Sequence, residues 1–200
     1  MKDDQLLPFY EYFAESIEDN DEIQSFKTIN FNLPSSPWLK DRIIPVLELN
    51  SNRLDEFDEL DLENSLTTLE LSNCSLSADD LSALATFLAG NKTLRILNLS
   101  KNNIESVDNV KSLAKAIKKH PLLRSVNLSQ CSIGGGDSDA LDKLLVACKE
   151  CDSLEIGHSD FTSEGVAVVA KFLSRKMSLA SFSLVSLVVP LSTSMRLYIF

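Results

Sequence analysis

A chain of 200 residues and 22.1 kDa, 44% hydrophobic and 24% charged, is long enough for one sizeable core and short for two. Its 29 acidic and 19 basic side chains leave a formal charge of -10 and a pI near 4.7, which argues against any broad affinity for nucleic acid backbones or anionic lipid. The acid is unevenly placed: residues 1–65 hold 16 Asp and Glu against 5 Lys and Arg, whereas residues 66–200 hold 13 against 14.

Met1 to Gln5 is acidic where a secretory signal would be basic, and no apolar core with a small-residue cleavage site follows it. The protein is therefore expected inside the cell, in the cytoplasm or the nucleus. Cysteines at 74, 131, 148 and 151 are too unevenly spread for a disulfide scaffold and read as thiols in a reducing compartment. From Leu6 to Ile23, the apolar Leu6, Leu7, Phe9, Tyr10, Phe13 and Ile17 alternate with acidic residues as in an amphipathic helix. That helix would belong to an acidic N-terminal cap over residues 1–43. Phe26-x-x-Ile29-x-Phe31 follows as an imperfect first copy of a pattern that then recurs.

The pattern is Ile44-x-x-Leu47-x-Leu49-x-x-Asn52-x-Leu54, and Leu66-x-x-Leu69-x-Leu71-x-x-Cys74-x-Leu76 repeats it 22 residues later. Leu94, Leu97, Leu99, Asn102 and Ile104 repeat it after 28 residues, and Leu123, Val126, Leu128, Cys131 and Ile133 after 29. A degraded copy starts at Cys151 with Leu154, Ile156, Ser159 and Phe161, and a last one at Leu179 with Phe182 and Leu184. The repeated region spans 44–187, with coil starts near 44, 66, 94, 123, 151 and 179.

Between copies the period changes to that of a helix. Ser77 and Asp80 offer an N-cap before the stripe Leu81, Leu84, Ala85, Leu88, and Gly90 supplies a stop. Val110, Leu113, Ala114 and Ile117 form a second stripe, with Lys118, Lys119 and His120 at the negative end of its dipole and Pro121 beyond. Leu141, Leu144, Leu145 and Cys148 form the third, and Val166, Val169, Ala170 and Leu173 the fourth. From residue 188 an apolar tail broken by Pro190 runs to 200, too interrupted for a membrane span and read as an atypical end.

A strand with alternate residues inward, joined to a helix with one apolar stripe, buries its hydrophobic surface only by stacking on like units. The expected fold is thus α/β: a curved solenoid with parallel strands on the concave face and helices on the convex face. Asn52, Cys74, Asn102, Cys131 and Ser159 stand where each strand gives way to a loop, so a small polar side chain there can bond backbone groups that strand pairing leaves over.

These copies resemble the leucine-rich repeat family, and the 28- and 29-residue ones are similar to its ribonuclease-inhibitor class, in which each coil is a short strand followed by a full helix. The resemblance implies Asn or Cys at the ladder position, from which Ser159 and Leu187 depart. It also implies binding to another protein. The residues expected to face the partner are Glu48, Asn50, Glu70, Ser72, Asn98, Ser100, Asn127, Ser129 and Glu155. Alternative readings from the same resemblance are a regulator of a small GTPase, acting as an activator of its hydrolysis, or the sensing part of a larger receptor.

Catalytic and metal chemistry finds little support in the residues. Cys148-x-x-Cys151 has the spacing of half a zinc site, yet each thiol sits at an apolar position of the repeat and nothing completes a tetrahedral set. Gly134-Gly135-Gly136 is followed by Asp137 and Asp139, which would repel phosphate, and reads as a flexible insertion in its loop. His120 is a helix end, and His158 lies on an open ribbon that excludes little water. The expectation is a non-enzymatic protein with no cofactor and no metal, whose partner is another protein rather than nucleic acid or membrane, bound by the concave face or the acidic N-terminal rim.

Overall fold

The computed structural model describes residues 25–27, 32–33, 46–49, 53–54, 66–104, 106–135, 137–175 and 179–184. The amphipathic helix expected within 6–23, Asn50, Asn52, Leu187 and the apolar tail lie outside the described residues.

The strands are two or three residues long, and where the burial pattern is clearest, over Thr68–Glu70, Ile96–Asn98, Ser125–Asn127 and Ser153–Glu155, the middle side chain is turned inward, so each such strand gives the core one apolar residue plus those that flank it. The strands are β1 (Ser25–Lys27), β2 (Asn32–Leu33), β3 (Val46–Glu48), β4 (Arg53–Leu54), β5 (Thr68–Glu70), β6 (Ile96–Asn98), β7 (Ser125–Asn127), β8 (Ser153–Glu155) and β9 (Ser181–Ser183). Seven of them form one parallel sheet in the order β1-β3-β5-β6-β7-β8-β9, while β2 and β4 pair separately. The register places Leu47, Leu69, Leu97, Val126, Leu154 and Phe182 side by side on successive strands. Leu69, Leu97 and Leu154 are wholly buried and Val126 nearly so.

The first copy is real but displaced. Phe26, and not Ile29, is the Cα partner of Leu47. An imperfect copy offers apolar residues at two positions three apart, and side-chain type alone does not say which takes the central place in the strand.

Among the described residues four helices return the chain: α1 (Ala78–Gly90), α2 (Val107–Lys119), α3 (Ser138–Ala147) and α4 (Ser163–Leu173), with a 3-10 turn over Cys148–Glu150 after α3. Strands stack about 4.8 Å apart and helices about 10 Å apart, which curves the solenoid with strands inside. Ser77 begins α1 with a reciprocal capping box: its Oγ accepts from the Asp80 N–H, and Asp80 Oδ2 accepts from the Ser77 N–H at 2.8 Å. Asp137 and Thr162 cap α3 and α4 through their side-chain oxygens, whereas Ser106 makes no side-chain cap bond to α2. Such caps contribute about 1 kcal/mol each.

The first three stripes are buried as expected, apart from Ala85, which is half-buried. Two details differ from expectation. Gly90 is the last residue of α1, and the stop comes from Asn91, which turns extended (φ -65, ψ 141) while its N–H bonds the Phe87 carbonyl. In α4 the buried side is Gly165, Val166, Val169 and Phe172, with Ala170 and Leu173 only half-buried. Phe172 takes the last buried place on this helix, its ring centroid 6.5 Å from that of Phe182 of β9. Burial of each full leucine or phenylalanine contributes about 1.5 to 3 kcal/mol.

Where strand passes into loop, the backbone adopts a conformation the spacing of leucines did not reveal. Asn73, Lys101, Gln130 and His158 all take positive φ (58, 61, 60 and 53°) at the same position of four coils, just before the ladder residue. Ser75, Ser132 and Asp160 do the same just after it. None is glycine, and the left-handed region costs other residues about 1 to 2 kcal/mol each. They are held there by coil-to-coil bonds that continue the sheet: the N–H groups of Asn73, Lys101 and Gln130 donate to Ser100, Ser129 and Gly157 carbonyls at 2.9, 2.8 and 2.8 Å.

Candidate interaction surface on the concave sheet

The surface rests on the ladder beneath it. Asn102, 1% exposed, receives the N–H groups of Cys74 (2.9 Å) and Leu76 (3.3 Å) on Oδ1 and donates through Nδ2 to the carbonyls of Leu71 (2.7 Å), Leu99 (2.8 Å) and Ser100 (3.3 Å). Cys74 Sγ donates to the Leu49 carbonyl at 2.9 Å, Cys131 Sγ to Leu99 at 3.1 Å, and Ser159 Oγ to Leu128 at 3.5 Å. Each ladder side chain therefore reaches back one coil to the same carbonyl. Burial pushes the Cys131 thiol up to about 11, so it keeps the proton this bond needs. Ser159, the departure from Asn or Cys, makes the longest of these contacts.

A second, shorter ladder joins the helix ends. Asn91 Oδ1 accepts the Thr93 and Leu94 N–H groups at 2.9 and 2.8 Å, and one coil later His120 Nδ1 accepts the Leu122 N–H at 3.4 Å. With Nδ1 accepting, Nε2 carries the proton and donates to Asn91 Oδ1 at 3.3 Å. His120, at the helix end as its place before Pro121 implied, is buried. Desolvation first, and the Lys92 charge second, hold its pKa below the ordinary 6.5. The unfolded chain then binds the proton more readily, so stability is intact above about pH 6.5 and falls as the pH drops below it. His120→Asn keeps an acceptor for Leu122 without a titrating ring. The expected result is that urea midpoints recorded between about pH 8 and about pH 5 decline less for this variant than for the wild type.

On the open side of the sheet two rows of side chains run across the strands. The first is Glu48, Glu70, Asn98, Asn127, Glu155 and Ser183, in that register and all half-buried. Asn127 Nδ2 donates to Glu155 Oε2 at 3.0 Å, and the Oδ1 atoms of Asn98 and Asn127 accept the N–H groups of Ser100 and Ser129 at 3.0 and 2.9 Å. The second row is Thr68, Ile96, Ser125, Ser153 and Ser181. Ile96 is the exposed large hydrophobic side chain among the described residues, at 41%.

Ser72 and Ser129 are half-buried at the margin of this surface, but Ser100 is not on it. It is 6% exposed, and its Oγ donates to Ser72 Oγ at 2.9 Å. The loops of adjacent coils close over that position because their backbones stay hydrogen-bonded past the strand ends. Gly157, two residues beyond Glu155, is also buried.

The tempting chemical motifs resolve into packing. Cys148 and Cys151 are 0% and 2% exposed, and contact with Cys151 followed by burial raises the Cys148 thiol well above its ordinary value. Gly134 is not a flexible insertion: it is buried, its N–H donates to the Ser159 carbonyl at 3.0 Å, and its own carbonyl accepts from Thr162 at 3.1 Å. A Cβ there would lie 2.5 Å from the Ser159 oxygen and from Phe161 Cδ1. Among the described residues no group of three or more His, Cys, Asp or Glu is placed to hold a metal ion, and no helix is long and apolar enough to cross a membrane.

Comparison with known proteins follows the same coils. Models described as Leucine Rich repeat match residues 64–85, 90–107 and 122–144. The chain is 28% identical over 148 residues to human NACHT, LRR and PYD domains-containing protein 13, covering 70% of this chain and 14% of that protein. It is 34% identical over 114 residues to protein 4C of the same name in Mus musculus, covering 56% and 11%. It thus spans only 11 to 14% of the length of these two relatives. Among solved structures, the leucine-rich repeat-containing protein LegL7 from Legionella pneumophila superposes with a TM-score of 0.60 at 24% identity, over 86% of this chain and 59% of that one. The leiomodin-1 actin-binding site 2 superposes with a TM-score of 0.53 at 17% identity, over 83% and 88%, a likeness of fold. With sheet register, buried ladder and matched models all falling on one set of coils, the chain is a leucine-rich repeat protein.

Proposed function

We propose that the protein is a non-catalytic interaction scaffold of the ribonuclease-inhibitor-like class that holds another protein against its concave sheet. The observation that carries this reading is Ile96, an exposed aliphatic side chain set in a flat polar field with Thr68 and Ser125 beside it and Asn98 on its own strand. The strand-centre residues Leu69, Leu97, Val126 and Leu154 are turned into the core, so Ile96, at the first position of β6, is the large apolar contact that the described part of the ribbon offers a partner. Surrounding Ser and Asn side chains supply hydrogen bonds at low desolvation cost, and Glu70 and Glu155 set the charge preference. The full-length 28- and 29-residue coils, each with its own helix, support the class.

Affinity capture from native lysate with Ile96→Lys and with Asn98→Arg tests the surface. Because central apolar anchors carry a disproportionate share of binding energy, each variant is expected to lose at least about 90% of the captured partner while its urea midpoint stays near the wild-type value. Undiminished capture by both variants would remove the concave sheet from consideration.

A further inference from the structure

The four described helices run the same way through the solenoid, so their first turns lie along one edge and their last turns along the other. First turns carry Asp79, Asp80, Asp108, Asp139 and Glu164. The opposite edge, where helices end and strands begin, carries Lys92, Arg95, Lys118, Lys119, Arg124 and Lys149 against Glu150 and Asp152. Acid at helix starts and base at helix ends is favoured locally by the helix dipole. That preference does not account for Arg95 and Arg124, which lead into β6 and β7 and lie beyond any helix.

These two arginines are neighbours: the Arg124 N–H donates to the Arg95 carbonyl at 2.9 Å. Arg95, Lys118, Lys119 and Lys149 are exposed, and of these only Lys149 has an ion pair among the described residues, 3.3 Å from the adjacent Glu150. Lys92 is already tied to the Ala89 carbonyl at 2.5 Å, yet its charge is still felt one coil away, where it helps keep His120 neutral. Arg124 likewise favours the ionised form of Cys151 in the next coil. Lys92 and Arg124 thus each act one coil beyond their own, with Asp152 and Glu150 opposing Arg124 at Cys151.

We propose that this helix-end edge is a second docking surface, separate from the concave sheet, for an acidic protein segment. Four coils measure about 15 Å on the strand side and about 30 Å on the helix side, matching roughly five to nine residues of extended chain at about 3.3 Å each. A nucleic acid of equal charge is the competing occupant, and the experiment below separates the two.

Fluorescence anisotropy with the full chain and a labelled octa-glutamate peptide tests this at low ionic strength. The expected result is saturable binding that weakens with salt and falls at least about tenfold in Lys118→Glu/Lys119→Glu and again in Arg95→Glu, which touches no helix. Lys115→Glu/Lys143→Glu makes the same change in net charge at mid-helix and is expected to alter affinity by less than about twofold. Equal losses from both double variants, or no binding by the wild type, would overturn the proposal. Tighter binding of a single-stranded oligonucleotide of equal charge would overturn it in favour of a nucleic acid surface.

Discussion

Replacing Asn102 with alanine is expected to lower the free energy of unfolding by about 3 kcal/mol, the upper part of the range for leaving buried polar groups unpaired. One side chain closes five bonds, to the N–H groups of Cys74 and Leu76 and to the carbonyls of Leu71, Leu99 and Ser100. Alanine fills the space no better and leaves both N–H groups without that acceptor in a site closed to water. Ser159→Ala at the equivalent position is expected to cost less than about 1 kcal/mol, because its hydroxyl makes only contacts of 3.3 and 3.5 Å. Urea denaturation of both variants checks the ordering; equal losses would mean that stability does not follow the quality of the ladder bonds.

Gly134→Ala is expected to cost about 3 kcal/mol, at the upper end for overpacking a fixed site. The added methyl would meet the Ser159 carbonyl and Phe161 Cδ1 at 2.5 Å and Phe161 Cα at 2.7 Å. Two of those three atoms are backbone, and the Ser159 carbonyl is itself bonded to the Gly134 N–H, so relief requires moving one coil away from the next. Gly135→Ala is the control, since its nearest neighbour is the Asp160 carbonyl at 3.7 Å, an ordinary contact. Thermal melts of the pair should separate clearly; a melting temperature for Gly134→Ala within a degree or so of the control would show that the coils have slack there.

What the sequence made legible and what it hid follow from one physical distinction. Leucine spacing reports which way a side chain faces relative to its own strand or helix, and so the strands, the Leu69–Leu97–Val126 register and the burial of three helix stripes could all be read. The same spacing located Asn102 and Cys131. It could not show that their bonds reach back to the preceding coil, because that depends on how far apart two loops lie. Ser100 and Gly134 were misplaced for the same reason: each looks exposed or loop-like within its own coil and is buried beside the neighbouring one. The left-handed residues escaped notice because none is glycine. A signal was present in the polar or charged type of Asn73, Lys101, Gln130 and His158, one position before every described ladder residue. The concave row of Glu70, Asn98, Asn127 and Glu155 was legible in outline, whereas the exposure of Ile96 in the row beside it became clear only next to the small Thr68 and Ser125.

The unchanging register has a bearing on how such a chain tolerates alteration. Leu69, Leu97, Val126 and Leu154 occupy equivalent places in one register that carries through adjacent coils. Loss or duplication of a whole 28-residue unit would leave complementary faces to meet, whereas an indel of a single residue within a strand would swap interior for exterior. The molecule can lengthen or shorten by modules, and its span, more than its individual contacts, is the property most freely open to evolutionary change.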